Sequence, residues 1–184
     1  MNNLGFIQKT AIIVSRTRDQ IDEKLLAIKD YLESTGFGYK KPLVDNEGFP
    51  YPDIDHVKIL SERQRASRMI NDRKRITNLM DNLTNSDQSP LYSLMNAHHP
   101  FAIATEVRQK SPAENSGLMD GDLVISFGKA HSLHQIKSEI IEFQAVEINV
   151  IRCEGSECQV ISLEITPRPW EGDGLVGCLL LPLL

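Results

Sequence analysis

Residues 107–129 have the sequence VRQKSPAENSGLMDGDLVISFGK, and this stretch decides the fold of the second half of the chain. Ser-Pro-Ala at positions 111–113 precedes Gly117-Leu118, and Gly121-Asp122 precedes the short apolar run LVISF. Apolar runs of this length between turn residues predict β-strands, and glycines suit positions where the backbone must turn tightly. We therefore expect a strand at 122–128 that begins directly after a glycine turn.

Three further segments around this stretch predict strands: FAIATEV at 101–107, VEINVIR at 146–152 and QVISLEIT at 159–166. One helix interrupts them, because Leu133, Ile136, Ile140 and Phe143 recur at spacings of three and four. Four or five strands with one helix in residues 97–184 indicate a small, partly open β-barrel.

The first half of the chain has a helical pattern. Apolar positions recur every three or four residues and are broken only by Arg18, and this stripe requires a partner helix. Its members are Ile7, Ala11, Val14, Arg18, Ile21, Leu25, Ile28 and Leu32. We expect Thr35-Gly36 and Gly38 to end this helix.

The partner helix is predicted to follow the loop 39–55. Asp53 or Asp55 is suited to cap it and Pro52 to start it. Its own stripe consists of Ala66, Met69, Ile76, Met80 and Leu83. Two helices with one connection predict an antiparallel, coiled-coil-like hairpin, and so long a loop is expected to pack across the helices.

Charge divides the chain at the same place. Residues 1–96 carry 14 Lys and Arg against 13 Asp and Glu, whereas residues 97–184 carry 6 against 12, which indicates two units with different surfaces. Between them, residues 84–100 lose all periodicity and gather Asn, Ser and Pro. We predict an α+β protein with a helical hairpin domain at 1–88, a linker at 89–96 and a second domain at 97–184.

The cysteines and the two ends of the sequence indicate the cellular compartment that we expect for the protein. Cys153, Cys158 and Cys178 lack metal-ligand spacing and are expected to be thiols, although the first two could face each other across a hairpin. The chain has no recognisable secretory signal at its start, and the apolar tail 174–184 is too short for a membrane helix. We expect a cytoplasmic and nuclear protein with no membrane partner.

The stretch 107–129 resembles the middle of a PDZ domain, in which a strand leads into Ser-Pro-Ala, then Gly-Leu, then Gly-Asp before another strand. PDZ domains also carry a loop of pattern X-Φ-Gly-Φ (Φ, apolar), and nothing upstream of Phe101 fits it. The pattern occurs instead at the end of the chain, as Leu175-Val176-Gly177-Cys178. The resemblance therefore implies a circularly permuted PDZ domain.

This resemblance implies a site for the free C-terminus of another protein. The amides of Val176, Gly177 and Cys178 would bind a terminal carboxylate as an anion nest, and the peptide would add a strand beside the tail. The expected carboxylate loop is Leu175, Val176, Gly177 and Cys178. The expected groove consists of Leu179, Leu180 and Leu181 with His134, Ser138 and Ile141 of the helix, whose core stripe is Leu133, Ile136, Ile140 and Phe143.

Three segments extend the resemblance to most of the chain: LVDNEGFPYPDID at 43–55, RQRASRMINDRKRITNLMDNL at 63–83 and RPWEGDGLVGCLLLP at 168–182. Together they resemble the eukaryotic proteasome non-ATPase regulatory subunit 9 family, although Tyr51-Pro52 stands where that family usually has a basic residue. The resemblance implies a chaperone for assembly of the regulatory particle base. Such a chaperone binds one AAA-type ATPase subunit and captures its C-terminal tail, which opposes premature docking on the proteolytic core.

Other classes of function find less support in the sequence. Neither Gly-x-Ser-x-Gly nor His-Glu-x-x-His occurs, and no histidine has metal-ligand spacing, so we expect no enzyme, no metal and no cofactor. The histidines are His56, His98, His99, His131 and His134. A general PDZ adaptor for other intracellular C-termini remains an alternative, since its groove would look the same.

A basic run on the second helix leaves two interpretations open, a solvated helix face or a contact with the acidic surface of a partner. Its members are Arg63, Arg65, Arg68, Arg73, Lys74 and Arg75. The net charge of −5 is opposite to the basic footprint of nucleic-acid-binding proteins, so no nucleic-acid partner is expected.

Overall fold

The computed structural model describes residues 3–84 and 89–183. Its helices are α1 (Asn3–Ser34), α2 (His56–Thr84), α3 (Pro90–His98), α4 (Pro112–Asn115) and α5 (Leu133–Glu139). Its strands are β1 (Ala102–Thr105), β2 (Leu123–Phe127), β3 (Val146–Glu154), β4 (Glu157–Ile165) and β5 (Leu179–Pro182). No helix among the described residues is long and apolar enough to span a membrane.

The chain forms two compact units, which we call the helical unit (Arg18–Lys74) and the sheet unit (Met1–Thr17 with Arg75–Leu184). This division differs from the predicted boundary at residue 88. The reason is that the end of α2 packs on the sheet unit: the Asn82 side-chain amide donates to the Gly155 carbonyl at 2.6 Å, and Ile76 lies beside Gly121. The predicted linker at 89–96 largely coincides with α3, which contacts β3 and β4.

The helical unit is the predicted antiparallel pair. Ile28 and Leu32 of α1 are buried against Ile59 and Ala66 of α2. Nearer the boundary of the unit, Asp22 of α1 accepts a hydrogen bond from Arg73 of α2. Residues later in α1 thus contact residues earlier in α2, so the two helices are antiparallel.

The stripe predicted for α1 is confirmed. Ile7, Val14, Ile21, Ile28 and Leu32 are buried, and Ala11, Arg18 and Leu25 are partly buried. On α2 the predicted Ala66 and Ile76 are buried, whereas Met69, Met80 and Leu83 are only partly so. The prediction omitted Ile59 and Leu79, which are 1% and 2% exposed.

The loop between the two helices packs across them, as expected. Phe37, Leu43 and Ile54 contact the helical core. Gly36 adopts a φ of +76° and its amide donates to the Glu33 carbonyl, so that α1 ends where the sequence predicted. Asp55 accepts a hydrogen bond from the Lys58 amide at 2.9 Å and therefore caps α2.

The sheet has five antiparallel strands in the order β4-β3-β2-β1-β5. The last strand of the chain therefore pairs with the first, with Ala102 opposite Pro182 and Thr105 opposite Leu179. Only one side of β5 is paired within the sheet, so its outer edge carries backbone groups that a further strand could bind.

The main core lies on one face of the sheet and includes Ala102, Ala104, Val124, Phe127 and Ile148. The predicted helix covers part of it, and Ile136 of α5 is buried there. Phe143 was predicted to belong to this stripe, and that prediction is wrong: α5 ends at Glu139, and the Phe143 ring is 69% exposed. The backbone there turns to a φ of +61°, and the Phe143 amide donates to the Pro167 carbonyl.

The hairpin between β3 and β4 brings two cysteines together. Cys153 and Cys158 are directly opposite in the register and are joined by a disulfide, whereas the sequence favoured thiols. Cys178 is a free thiol.

The motif at 107–129 is held by a helix cap and a buried carboxylate. Ser111 caps α4 by accepting a hydrogen bond from the Glu114 amide. Asp122, whose side chain is 2% exposed, forms an ion pair with Arg152 at 2.7 Å. Arg152 also donates to the Gly117 carbonyl, so it ties β3 to the glycine turn before β2. The hydrogen bonds to Asp122 raise the pKa of the Arg152 guanidinium.

We predict that Arg152→Leu lowers the free energy of unfolding by about 3–5 kcal/mol, because it leaves the Asp122 carboxylate buried and unpaired. Arg108→Leu is the matched control, since Arg108 pairs with Glu106 in an exposed position, and its cost should be below about 1 kcal/mol. Chemical denaturation of the full chain measures both. Equal losses would show that the buried pair does not stabilise the turn.

Candidate functional site

The loop that precedes β5 is anchored by its carbonyl groups. The Leu175 carbonyl accepts from the Arg168 amide at 3.0 Å, and the Val176 carbonyl accepts from the Ala113 amide at 2.9 Å. The Gly177 carbonyl accepts from the Arg108 amide at 2.8 Å. Three successive peptide groups are thereby fixed in orientation by two other segments of the sheet unit.

Because these carbonyls point toward their donors, the N–H groups of the same peptide planes point away from those donors. No cis peptide bond occurs among the described residues, and in a trans peptide the N–H points opposite to the C=O. The N–H groups of Val176, Gly177 and Cys178 share their peptide planes with the three anchored carbonyls. None of these amides donates a hydrogen bond to another described residue, so all three are available to an anion.

Gly177 is required by its surroundings. It adopts a φ of +81°, and a Cβ atom there would lie 2.2 Å from the Cβ of Ser111 and 2.9 Å from the Trp170 ring. Ser111 is fully buried. The close approach of the loop to the start of α4 therefore depends on the absence of a side chain at position 177.

The side chains of the tail alternate between two faces. Val176, Cys178 and Leu180 are partly buried and pack against the main core, whereas Leu179 is 46% exposed. Leu175 and Leu181 are partly buried. All members of the predicted loop and of the predicted tail half of the groove thus lie at or beside the edge of the sheet.

The three residues predicted for the helix wall of the groove are exposed. His134 and Ser138 are exposed, and the Ser138 hydroxyl donates to the Gln135 carbonyl of its own helix. Ile141 lies beyond the end of α5 and is 51% exposed. Leu133 and Ile140, in contrast, are partly buried and pack against the main core, as the tail does.

The predicted core role of Leu133, Ile136 and Ile140 is confirmed, because all three lie in or against the main core. His134, Ser138 and Ile141 remain predictions as groove residues.

Cys178 contributes no charge to this site near neutral pH. Burial, and to a smaller extent the neighbouring carboxylate of Asp120, raises the pKa of its thiol to about 12. A group with a raised pKa keeps its proton over the whole range below that value, so Cys178 is a neutral thiol beside the three free amides. Cys178 therefore carries no negative charge that would repel an approaching carboxylate.

The basic run on α2 is in part engaged within the helical unit. Arg63 donates to the carbonyls of Gly38, Phe37 and Lys41 and thereby fastens the loop. Arg65 pairs with Glu62, and Arg73 pairs with Asp22. These arginines therefore have a structural role, and their predicted contact with a partner stays a prediction, as it does for Arg68, Lys74 and Arg75.

Metal binding finds no support in the described part of the chain, where no group of three or more His, Cys, Asp and Glu side chains could hold an ion. His98 and His99 are exposed at the end of α3, as expected of a surface pair.

Comparison with known proteins gives concordant matches. A family model described as the Nas2 N-terminal domain matches residues 13–87. The chain is 30% identical to the 26S proteasome non-ATPase regulatory subunit 9 of Drosophila melanogaster over 84% of this chain and 82% of that protein. It is 26% identical to the human protein of the same name, over 91% and 87%. A Caenorhabditis elegans protein named as a probable subunit 9 is 29% identical, over 90% and 91%.

We predict that Gly177→Ala lowers the free energy of unfolding by roughly 2–5 kcal/mol, through backbone strain and overlap with Ser111. Gly174→Ala is the matched control: it has a φ of +73° in the same loop and nothing within 4 Å of its added Cβ. The control should lose only the strain, about 1–2 kcal/mol. Chemical denaturation measures both, and equal losses would contradict the packing described for position 177.

Proposed function

Because the chain belongs to the 26S proteasome non-ATPase regulatory subunit 9 family, we propose that it is a chaperone for assembly of the base of the proteasome regulatory particle. In this proposal it binds one AAA-type ATPase subunit and holds the C-terminal tail of that subunit at the loop before β5. The sheet unit then acts as a circularly permuted PDZ domain, and the protein needs neither cofactor nor catalysis.

The observation that carries this proposal is the set of three free amides at Val176, Gly177 and Cys178, next to the unpaired edge of β5. A terminal carboxylate can accept from the amides while the preceding residues pair with β5 as an added strand. Hydrogen bonds to a charged group contribute about 1.5–3 kcal/mol each, so the free acid is the feature that the loop would select.

Capture of a tail has a direct consequence for assembly. A tail held in the loop cannot at the same time dock on the proteolytic core, and binding at one place must weaken binding at the other by the same factor. We propose that the chaperone delays docking in this way, in the cytoplasm and the nucleus, until it is released. Competition alone accounts for this delay.

The helical unit distinguishes a dedicated chaperone from a general adaptor for free C-termini. It presents exposed apolar side chains at Phe49, Val57 and Leu60, which are 65%, 79% and 55% exposed. Val57 and Leu60 lie three positions apart and so share a face of α2, and exposed apolar side chains that form a patch are typical of protein contacts. We propose that the helical unit supplies a second contact with the same client, which an adaptor would not need.

The proposal predicts selective binding of a free-acid peptide. Peptides with the last ten residues of each base ATPase, labelled at their N-termini, are titrated with the full chain and followed by fluorescence anisotropy. At least one free acid should bind, and its C-terminal amide should bind at least about tenfold more weakly because it loses charge-assisted hydrogen bonds.

Two other outcomes are informative. If acid and amide bind equally, the three amides do not read the carboxylate and the tail-capture proposal fails. If unrelated intracellular C-termini bind as well as the ATPase tails, and an intact ATPase subunit binds no more tightly than its tail peptide, the general adaptor is the better account.

A further inference from the structure

The disulfide between Cys153 and Cys158 lies at the tip of the β3–β4 hairpin and has no part in the function proposed above. The two cysteines are directly opposite in the register, and both are partly exposed. They are only five positions apart, and cross-linking so short a loop removes less entropy from the unfolded chain than closing a long one does. The effect of this bond is therefore to be sought in the folded hairpin.

Between the cysteines, the hairpin carries a pair of like charges. Glu154 and Glu157 are exposed and directly opposite each other, on either side of the turn at Gly155 and Ser156. Two like charges in directly opposite positions destabilise a pair of strands. The disulfide forms the next pair along the same ladder, so it holds the tip of the hairpin closed against this repulsion.

The same turn holds the end of α2 within the sheet unit. The Asn82 side chain is buried, and its amide donates to the Gly155 carbonyl at 2.6 Å. Gly155 lies inside the loop that the disulfide closes. When the tip of the hairpin opens, the Gly155 carbonyl moves and Asn82 loses this hydrogen bond, which is costly for a buried amide. A closed tip therefore fastens the end of α2 to the hairpin.

The disulfide can form and break by ordinary thiol chemistry. A peroxide oxidises one cysteine thiolate to a sulfenic acid and is reduced to water once the hydroxide takes up the thiol proton; the second thiol then displaces a further water and forms the disulfide. Two glutathione molecules reverse the reaction. The first forms a mixed disulfide with one cysteine and frees the other, and the second displaces the remaining cysteine and leaves as oxidised glutathione.

The third cysteine does not exchange with this pair. Cys178 adjoins β5, which lies three strand spacings from β3 in the sheet, or about 14 Å at the usual distance between strands. Burial raises the pKa of the Cys178 thiol to about 12, and a protonated thiol is no nucleophile for exchange. The hairpin thus has two states, the dithiol and the Cys153–Cys158 disulfide.

We propose that Cys153 and Cys158 are a redox modification site, oxidised by peroxides and reduced by thiols of the glutathione class, and that their disulfide fastens the end of α2 to the β3–β4 hairpin. The cytoplasmic and nuclear location given with the proposed function supports reversibility, because disulfides in reducing compartments are usually transient or redox-sensing. The inference rests on that location and not on tail capture.

A redox titration of the full chain tests the modification. The protein is equilibrated with mixtures of reduced and oxidised glutathione and alkylated, and the peptides that carry each cysteine are quantified by mass spectrometry. Cys153 and Cys158 should change from dithiol to disulfide across the mixtures, while Cys178 stays a thiol. A pair that stays oxidised in a large excess of reduced glutathione, or reduced in a large excess of oxidised glutathione, would overturn the assignment.

Hydrogen exchange of the same chain measures the effect on α2. Amides at 78–84 and 153–158 should exchange about three- to tenfold faster in the reduced protein, as expected from the loss of one or two hydrogen bonds. Exchange in β2, which is paired on both sides, should be the same in both states. Equal exchange at 78–84 in the two states would show that the disulfide does not fasten the helix.

Three variants separate this effect from a general loss of stability. The double variant Cys153→Ser, Cys158→Ser should exchange like the reduced protein in every buffer, and Cys178→Ser is the matched control that keeps the redox dependence. Asn82→Ala should exchange equally fast at 78–84 in both redox states. If Asn82→Ala still responds to reduction as the unaltered chain does, the Gly155 hydrogen bond does not carry the effect.

Glu157→Gln tests the repulsion at the tip. It removes one of the two facing charges, so reduction should accelerate exchange at 78–84 less than in the unaltered chain. Glu164→Gln is the matched control, since it removes the same charge from β4 at the far end of the hairpin, opposite Glu147. Equal responses of the two variants to reduction would overturn the role of repulsion. None of these readouts requires a bound peptide, so failure of this site and failure of tail capture are distinguishable.

Discussion

The peptide planes between Leu175 and Cys178 are fixed by three hydrogen bonds to amides of other segments, and the candidate site depends on that constraint. With the carbonyls of Leu175, Val176 and Gly177 turned inward, the N–H groups of the same planes point outward without a partner in the described structure. The anion site that we propose would thus consist of neutral backbone groups held in one orientation. The loop itself needs no basic side chain for this.

The orientation of this loop depends in turn on the motif at 107–129. The buried carboxylate of Asp120 accepts from the amides of Glu106 and Val107 at 3.0 and 2.8 Å, and the next amide, that of Arg108, is then directed at the Gly177 carbonyl. Glu106 adopts a φ of +51° at this point, a conformation that costs energy in a residue with a side chain and that the two hydrogen bonds offset. A segment that looks like a structural turn therefore sets the orientation of the ligand loop some seventy positions later.

Much of this architecture could be predicted from the sequence, because it depends on local patterns. The helix stripes gave the pairing of α1 with α2, and the glycine turns and apolar runs gave β1 to β4. Features that depend on long-range packing could not be predicted. The end of α5 before Phe143 depends on the Pro167 carbonyl. The assignment of the end of α2 to the sheet unit depends on the contacts of Ile76 with Gly121 and of Asn82 with Gly155.

The candidate site shows the same limit. The resemblance of residues 175–178 to the carboxylate loop of PDZ domains predicted which segment would form the candidate site. It could not show that a pocket lies beside Trp170, because that pocket joins residues of the 106–108 turn to residues of the 170–179 loop. Helix spacing, in contrast, did separate Leu133 and Ile140, which pack against the main core, from the exposed His134 and Ser138.

The central claim is that the outward amides of the loop bind a terminal carboxylate. The most direct measurement is a ¹⁵N–¹H correlation spectrum of the full chain, titrated with the ATPase tail peptide that binds most tightly, as free acid and as amide. The account predicts downfield shifts of the Val176, Gly177 and Cys178 amide protons with the acid, and much smaller shifts with the amide. Shifts confined to other residues, or equal shifts with both peptides, would contradict it.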